Sequence, residues 1–249
     1  MKRPRRSETP FRRFIPNLVT IFGLCVGLLS VRAGLEGRYA TALYLIIVAV
    51  FIDAADGKVA RFLKAESEFG AELDTLSDFF NFGIAPTFLI YNVVFAGTEY
   101  ARSGWFCVLV LTVCCALRLA RFNVALTDAE PTEKKRDFFV GVPAPALACL
   151  ALMPMLFWME DWAFFQNHPN ITVIYLIGVG LLAVSTLPTF SIKHLKIKRE
   201  HQFAVLLISV GLIMALAVFP WRTMIIGNFL YLASIPVSAL TSRRTLPTL

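Results

Sequence analysis

Eight apolar runs, separated by short charged segments, restrict the fold of this chain more than any other feature. A helix needs about 20 apolar residues to cross the hydrocarbon core of a bilayer. The mean hydropathy of +0.67 and the charged fraction of 16% are typical of a membrane protein rather than a soluble globular one. The sequence therefore predicts an all-α, polytopic membrane helix bundle with about eight transmembrane helices.

Two of the apolar runs are short for a complete span. One is followed by aspartates and the other by arginines. The second run ends just before Asp53, and the fourth ends just before Arg118. We expect each of these two helices to continue through its charged end. The eight runs cover Phe14–Val31, Tyr39–Ile52, Phe79–Thr98, Ser103–Leu117, Val142–Met159, Ile171–Ile192, Gln202–Pro220 and Thr223–Thr241.

The lysines and arginines predict the orientation of the bundle. With the N-terminus inside, only four of the 24 basic residues lie in outside loops, and the inside segments hold the rest. The four are Arg32, Arg38, Arg102 and Arg222. This alternation is a positive-inside signature, so both termini are predicted to be cytoplasmic. Because the charge lies in clusters between apolar runs, the net charge of +7 indicates contact with anionic lipid headgroups and no nucleic acid.

Four aspartates lie within 26 residues, between the second and third apolar runs. They are Asp53, Asp56, Asp74 and Asp78. Spacings of three and four residues place each pair on one face of a helix. Four carboxylates at a membrane edge are costly unless a cation lies between them. Since carboxylates are hard oxygen ligands, the cluster favours Mg²⁺ or Mn²⁺ over zinc, and two facing pairs can hold two such ions.

Two glycines and an arginine accompany the aspartates. Gly57 directly follows Asp56, and Gly70 precedes Asp74 by four residues, so each opens a helix face to a ligand. Arg61 is suited to contact a diphosphate. A structural charge network at a helix boundary is the alternative, but it does not require two glycines in phase with four acids.

These residues together form a motif that resembles the signature of the CDP-alcohol phosphatidyltransferase family. The motif is Asp-x-x-Asp-Gly-x-x-Ala-Arg, eight residues, then Gly-x-x-x-Asp-x-x-x-Asp. The chain matches every fixed position, namely Asp53, Asp56, Gly57, Ala60, Arg61, Gly70, Asp74 and Asp78. The resemblance implies transfer of a substituted phosphate from a CDP-linked donor to an alcohol, with release of CMP.

The resemblance also implies roles for individual residues. Asp53, Asp56, Asp74 and Asp78 would bind two divalent cations, Mg²⁺ or Mn²⁺, and Asp78 would also act as the general base. The CDP-diacylglycerol donor would contact Gly57, Ala60, Arg61, Gly70 and the Ser67 hydroxyl. Asn17 and Thr20, in a segment similar to the family's first helix, would help to hold the nucleotide; a capped helix start is the other interpretation of these two.

The acceptor depends on a second region. Residues 116–123 resemble the end of the fourth helix in the branch of the family that uses L-serine, and residues 139–146 resemble that branch's Gly-x-Pro-x-Pro-Ala segment. Arg118 and Arg121 lie three residues apart and can bind a carboxylate, with Asn123 beyond them. Lipid-phosphate binding or topological anchoring explains the two arginines equally well.

Several alternatives remain open. The same chemistry with glycerol 3-phosphate, inositol, inositol phosphate or choline would change only the acceptor, and the cluster Lys193, Lys196, Lys198 and Arg199 offers charge for a phosphorylated one. A membrane prenyltransferase lacks the phased Gly57, Arg61 and Gly70. A cation transporter would have acids near mid-span.

The predicted organisation has three parts. Residues 1–13 form a basic cytoplasmic arm, residues 14–192 a six-helix core, and residues 193–249 two additional helices with a short basic tail. We expect the protein in the inner cell membrane, with the aspartates facing the cytoplasm. A homodimer is one option for its assembly.

Overall fold

A computed structural model describes residues 10–63, 65, 67–127, 138–190 and 202–245. Over these ranges the chain is a helix bundle with one short two-stranded ladder, so the predicted all-α membrane architecture is confirmed. The elements are α1 (Pro10–Leu35), α2 (Tyr39–Leu63), α3 (Glu68–Asp78), π1 (Phe79–Ile84), α4 (Ala85–Ile90), π2 (Tyr91–Phe95), α5 (Ala101–Thr127), β1 (Phe138–Val140), α6 (Ala144–Ala151), α7 (Met153–Met159), α8 (Phe164–Asn167), α9 (Pro169–Val184), β2 (Pro188–Phe190), α10 (Gln202–Val218) and α11 (Pro220–Thr245).

Four segments in the described ranges are long and apolar enough to cross a membrane. They are Phe14–Leu35, Tyr39–Leu63, Glu68–Phe95 and Ala101–Ala125. Shorter apolar helices cover Pro169–Val184 and Phe203–Val218, and the apolar side chains of the latter are largely exposed, as suits a lipid-facing helix. The protein is therefore a multi-pass membrane protein, while the number of eight spans stays a prediction.

The helices that carry the conspicuous charges are longer than their apolar runs. α2 continues past Asp53 to Leu63, and α5 continues past Arg118 and Arg121 to Thr127. Both extensions were expected from the sequence and are confirmed. They place the aspartates and the arginines on helix rather than in loops.

The third span contains two π-helical segments that the sequence did not predict. One long helical path runs from Glu68 to Phe95, and π1 begins at the residue after Asp78. A π-helical turn widens the backbone spacing from i+4 to i+5, and such turns often occur at functional sites. Here the change falls at the last aspartate of the motif.

The expected fifth and sixth spans are wrong in detail. The fifth run is divided at Leu152 into α6 and α7, because Pro154 in the first turn of α7 cannot donate a backbone hydrogen bond. The sixth helix ends at Val184 instead of Ile192, and the chain then forms β2. β2 pairs antiparallel with β1, with Phe139 opposite Thr189.

The antiparallel packing of α1 on α2 sets the two ends of the bundle. At one end the Ser30 hydroxyl donates to the Ala42 carbonyl at 2.9 Å. Beyond it, Arg32 and Arg38 donate to Glu36, and these hydrogen bonds hold the pKa of the Glu36 carboxyl below its usual value. The aspartates of α2 lie at the opposite end.

Some sequence predictions concern residues outside the described ranges. These are the basic arm up to residue 9, the charged loop 128–137, and the cluster Lys193, Lys196, Lys198 and Arg199.

Candidate active site

Three of the four aspartates converge in the structure. Asp53 and Asp56 lie on α2 and Asp74 lies on α3, and one carboxylate oxygen of each falls within 4.8 Å of the others. The two helices therefore contribute carboxylates to one place, two from α2 and one from α3. This grouping offers only oxygen ligands.

Asp78 lies one helical turn beyond Asp74 and outside that group of three. Its carboxyl group is close enough to Asp53 for a hydrogen bond, and it interacts electrostatically with Asp74 and Asp56. Asp78 therefore borders the cluster without sharing its centre.

Asp56 is the aspartate of the motif that is both buried and held by hydrogen bonds. Its side chain is buried, with 5% exposure, and its two oxygens have different partners. The Thr20 hydroxyl of α1 lies 3.0 Å from Oδ2, and the Gly57 amide donates to Oδ1 at 2.6 Å. Thr20 thus orients a carboxylate of the cluster from a neighbouring helix, as outer partners of metal ligands commonly do.

The two glycines of the motif have different surroundings. A Cβ atom added to Gly57 would meet no atom within 4 Å, so this face of α2 is open. A Cβ atom at Gly70 would lie 2.9 Å from Asn17 Oδ1 and 3.0 Å from Ser67 Oγ. Ser67 is the N-cap of α3 and accepts a hydrogen bond from the Gly70 amide at 3.1 Å. Asn17, Ser67 and Gly70 are therefore brought together beside the cluster.

Arg61 points its charge toward the open side of α2. Its side chain is exposed, and its Nε donates to the Gly57 carbonyl at 3.0 Å. The half-buried Ala60 precedes it. The small residues Gly57 and Ala60 and the cation of Arg61 thus line one helix face next to Asp56.

The two arginines of α5 make contacts with backbone carbonyls. Arg118 is buried, donates through Nε to the Val142 carbonyl, and interacts electrostatically with Asp78. Arg121 donates to the carbonyls of Val184 and Ser185, at 2.7 Å and 3.1 Å. Arg121 therefore caps the C-terminal end of α9, where a cation is favourable.

Asn123 joins α5 to the aspartate helix. Its Nδ2 donates to Thr75 Oγ1 at 3.0 Å, one residue from Asp74. Sequence reasoning named Asn123 but missed Thr75 and also Ser77, whose hydroxyl is 3.5 Å from the Thr20 carbonyl. These contacts join residues 48 and 57 positions apart, so no local pattern indicates them.

The grouping fits a divalent cation. Buried or half-buried carboxylates that repel one another are expensive in a membrane protein, and a hard cation among them removes that cost. The open face at Gly57 leaves room for an anionic ligand next to the same cation. Fold and site together define a multi-pass membrane protein with a cluster of carboxylate oxygens whose chemistry suits a divalent cation.

Comparisons with known proteins identify the family. The family model "CDP-alcohol phosphatidyltransferase" matches residues 13–187. A relative from Mycobacterium leprae (strain TN) is 34% identical over 235 residues, covering 94% of this chain and 77% of the relative. Relatives from Bacillus subtilis (strain 168) and Helicobacter pylori (strain ATCC 700392 / 26695) are 32% and 29% identical, covering 69% and 73% of this chain and 87% and 73% of their own lengths. All three carry the name CDP-diacylglycerol–serine O-phosphatidyltransferase. The chain belongs to the CDP-alcohol phosphatidyltransferase family.

Proposed function

We propose that this protein acts in phospholipid biosynthesis by transferring the phosphatidyl group of CDP-diacylglycerol to the hydroxyl of L-serine, giving phosphatidylserine and CMP. The observation that carries the proposal is the convergence of Asp53, Asp56 and Asp74 beside the open face at Gly57. Family membership supports the donor, and the names of the relatives support the acceptor.

The proposed cofactors are two divalent cations, Mg²⁺ or Mn²⁺, held by Asp53, Asp56, Asp74 and Asp78. The all-oxygen donor set and the 4.8 Å grouping support this assignment. When bound, these ions would neutralise the diphosphate and make its phosphorus more susceptible to attack. Thr20 would keep Asp56 in its ligating orientation.

The donor is proposed to lie along the face of α2 that carries Gly57 and Ala60. Gly57 would let the diphosphate approach the helix backbone, and Arg61 would pair with its negative charge. Asn17, Ser67 and Gly70, together at the start of α3, would contact the cytidine part. Thr20 of α1, which donates to Asp56, would border the donor on this side.

Asp78 is proposed as the general base. It borders the group of three aspartates and interacts electrostatically with Arg118, which supports a position near both the proposed donor and the proposed acceptor. Its carboxylate would take the proton of the serine hydroxyl as that oxygen bonds to the phosphorus carrying diacylglycerol. The bond from this phosphorus to the oxygen bridging to CMP then breaks, and CMP leaves with the electron pair.

The serine carboxylate is proposed to bind Arg118. Only the Nε of this guanidinium has a partner among the described residues, which leaves its terminal NH₂ groups for a bidentate pair with a carboxylate. Asn123 and Arg121 belong to the same proposed site. Their contacts with Thr75 and with the end of α9 favour a positioning role in the alignment of Arg118 and Asp74.

The aspartates are proposed to face the cytoplasm, where serine is available, in the inner cell membrane. The distribution of basic residues supports this orientation. The family model ends at residue 187, which supports a core of residues 14–192 and two additional helices in residues 193–249. The oligomeric state, including the homodimer, stays a prediction.

An acceptor panel tests the proposed function. Purified protein would be supplied with CDP-diacylglycerol, Mg²⁺ or Mn²⁺, and in separate reactions L-serine, glycerol 3-phosphate, inositol, inositol phosphate or choline. We expect phosphatidylserine and an equal amount of CMP with L-serine alone, and no product after chelation of the metal. A lipid product formed only from another acceptor would contradict serine as the substrate while leaving the family chemistry intact.

A further inference from the structure

Tyr231 on α11 has an unsatisfied hydroxyl in the interior of the bundle. Its Oη is sealed from solvent, and it makes no hydrogen bond of acceptable geometry with any residue in the described part of the chain. A buried polar group without a partner is costly, and most such groups in native proteins are paired. This phenol therefore indicates a partner that is not part of the protein.

The polar surroundings of Tyr231 connect it to the α5 arginines. Tyr231 interacts electrostatically with Arg118, and the Thr189 hydroxyl of β2 is close enough for a weak contact with the phenol. The Thr189 hydroxyl donates its proton to the Gly141 carbonyl at 2.9 Å, so it has no proton to donate to the phenol. The phenol thus lies near a guanidinium and near the Thr189 hydroxyl, without a well-formed hydrogen bond of its own.

α11 is fixed in place on both sides of Tyr231. Asn228 donates to the Cys149 carbonyl at 2.8 Å, and Ser238 donates to the Pro188 carbonyl. The position of α11 around Tyr231 is therefore set by contacts with α6 and β2.

Arg118 interacts electrostatically with both Tyr231 and Asp78. The guanidinium and the neutral phenol are both hydrogen-bond donors, so a group that fits between them is an acceptor and an anion. An ammonium group would be repelled by Arg118. A carboxylate satisfies both donors at once.

We propose that Tyr231 Oη donates a hydrogen bond to the carboxylate of the acceptor serine held by Arg118, so that Tyr231 is a specificity-determining residue. The inference rests on the proposed function. It also gives α11, which lies beyond the residues matched by the family model, a direct part in the choice of acceptor.

Tyr231→Phe tests this role, with Tyr175→Phe as the matched control. The Tyr175 hydroxyl donates to the Leu150 carbonyl at 2.7 Å, so its phenol is satisfied within the protein. Full-length proteins would be assayed with CDP-diacylglycerol and metal while the serine concentration is varied. We expect Tyr231→Phe to raise the KM for serine by about 10- to 100-fold, the range for one hydrogen bond to a charged group, with an unchanged KM for CDP-diacylglycerol.

The outcomes separate this inference from the proposed function. An unchanged KM for serine in Tyr231→Phe, or an equal rise in both KM values, would overturn the inference alone. A wild-type protein that does not use serine would overturn the proposed function and the inference with it. Because KM does not depend on the active fraction, partial loss of folded protein does not imitate the expected result.

A measurement on the wild-type protein tests the same inference if the Tyr231→Phe variant does not accumulate. L-serine methyl ester keeps the hydroxyl and the ammonium group but has no anionic carboxylate. We expect a KM for the ester at least about tenfold above that for serine, since both donors lose their anion. Transfer to the ester with a serine-like KM would overturn the inference.

Discussion

Gly57 and Gly70 are both fixed positions of the motif, but they serve different purposes. Gly70 is packed against Asn17 and Ser67, so a side chain there would disturb the protein itself. Gly57 faces open space, so a side chain there would meet only a ligand. Their common presence in the motif thus combines one packing requirement with one binding requirement.

Gly57→Ala separates binding from folding. Because the added methyl group meets no protein atom within 4 Å, we expect normal folding and a KM for CDP-diacylglycerol raised by about tenfold, a loss of ~1.4 kcal/mol of binding free energy. Steady-state kinetics with varied donor give the result. The control is Gly211→Ala on α10, where a Cβ atom also meets nothing. An unchanged donor KM in Gly57→Ala would place the diphosphate elsewhere.

At the scale of elements, the turn before α6 holds the α5 arginines against the end of α9. Gly141 has φ of +79°, a value that side chains rarely adopt, and its Cβ position lies 2.7 Å from the carbonyl oxygens of Ala183 and Ser185. Its amide donates to the Leu187 carbonyl at 2.8 Å. Gly141 therefore allows β1, β2 and the C-terminus of α9 to meet beside Arg121.

Gly141→Ala should destabilise the protein through both backbone strain and this close approach. The backbone conformation alone costs about 1–3 kcal/mol for a residue with a side chain. Gly37→Ala is the control, since Gly37 has φ of +73° but open space around it. We expect a clearly lower thermal midpoint for Gly141→Ala than for Gly37→Ala in purified protein. Equal midpoints would contradict a tight junction at this turn.

The elements show how far local sequence determines this structure. The apolar runs, together with their charged ends, predict the lengths of α2 and α5, because helices continue where no proline interrupts them. They do not predict the end of α9, which depends on pairing between β2 and a strand 50 residues earlier. The π-helical turn after Asp78 is not indicated by any local residue pattern.

In the candidate site, too, some features follow from local sequence and others from contacts between distant residues. The spacing of Asp53 and Asp56 predicts that they share a face of α2, because helical periodicity fixes which side chains share a face, whereas the approach of Asp74 depends on the placement of α3. The partner of Asn123 and the position of Tyr231 depend on contacts between distant helices. Tyr231 lies in an apolar run and belongs to no sequence motif. Its proposed role can therefore be inferred only from the folded protein.

At the scale of the whole molecule, the two ends of the bundle differ in charge. Three of the four arginines in the predicted outside loops form ion pairs, Arg32 and Arg38 with Glu36 and Arg222 with Glu160. Exposed pairs of this kind contribute little stability, but they cancel charge on the side that is predicted to face away from the cytoplasm. The aspartates and the α5 arginines lie at the opposite end.

The most direct test of the whole account compares Asp78→Asn with Glu72→Gln in the complete reaction. Glu72 is an exposed acid on the same helix, six residues earlier and outside the cluster. Both variants would receive CDP-diacylglycerol, L-serine and Mn²⁺, with phosphatidylserine and CMP as the readout. We predict that Glu72→Gln stays close to wild type and that Asp78→Asn, with an unchanged thermal midpoint, loses about 10²- to 10⁴-fold in turnover, the usual contribution of a general base. Turnover near the wild-type level in Asp78→Asn would contradict this account of the aspartate site.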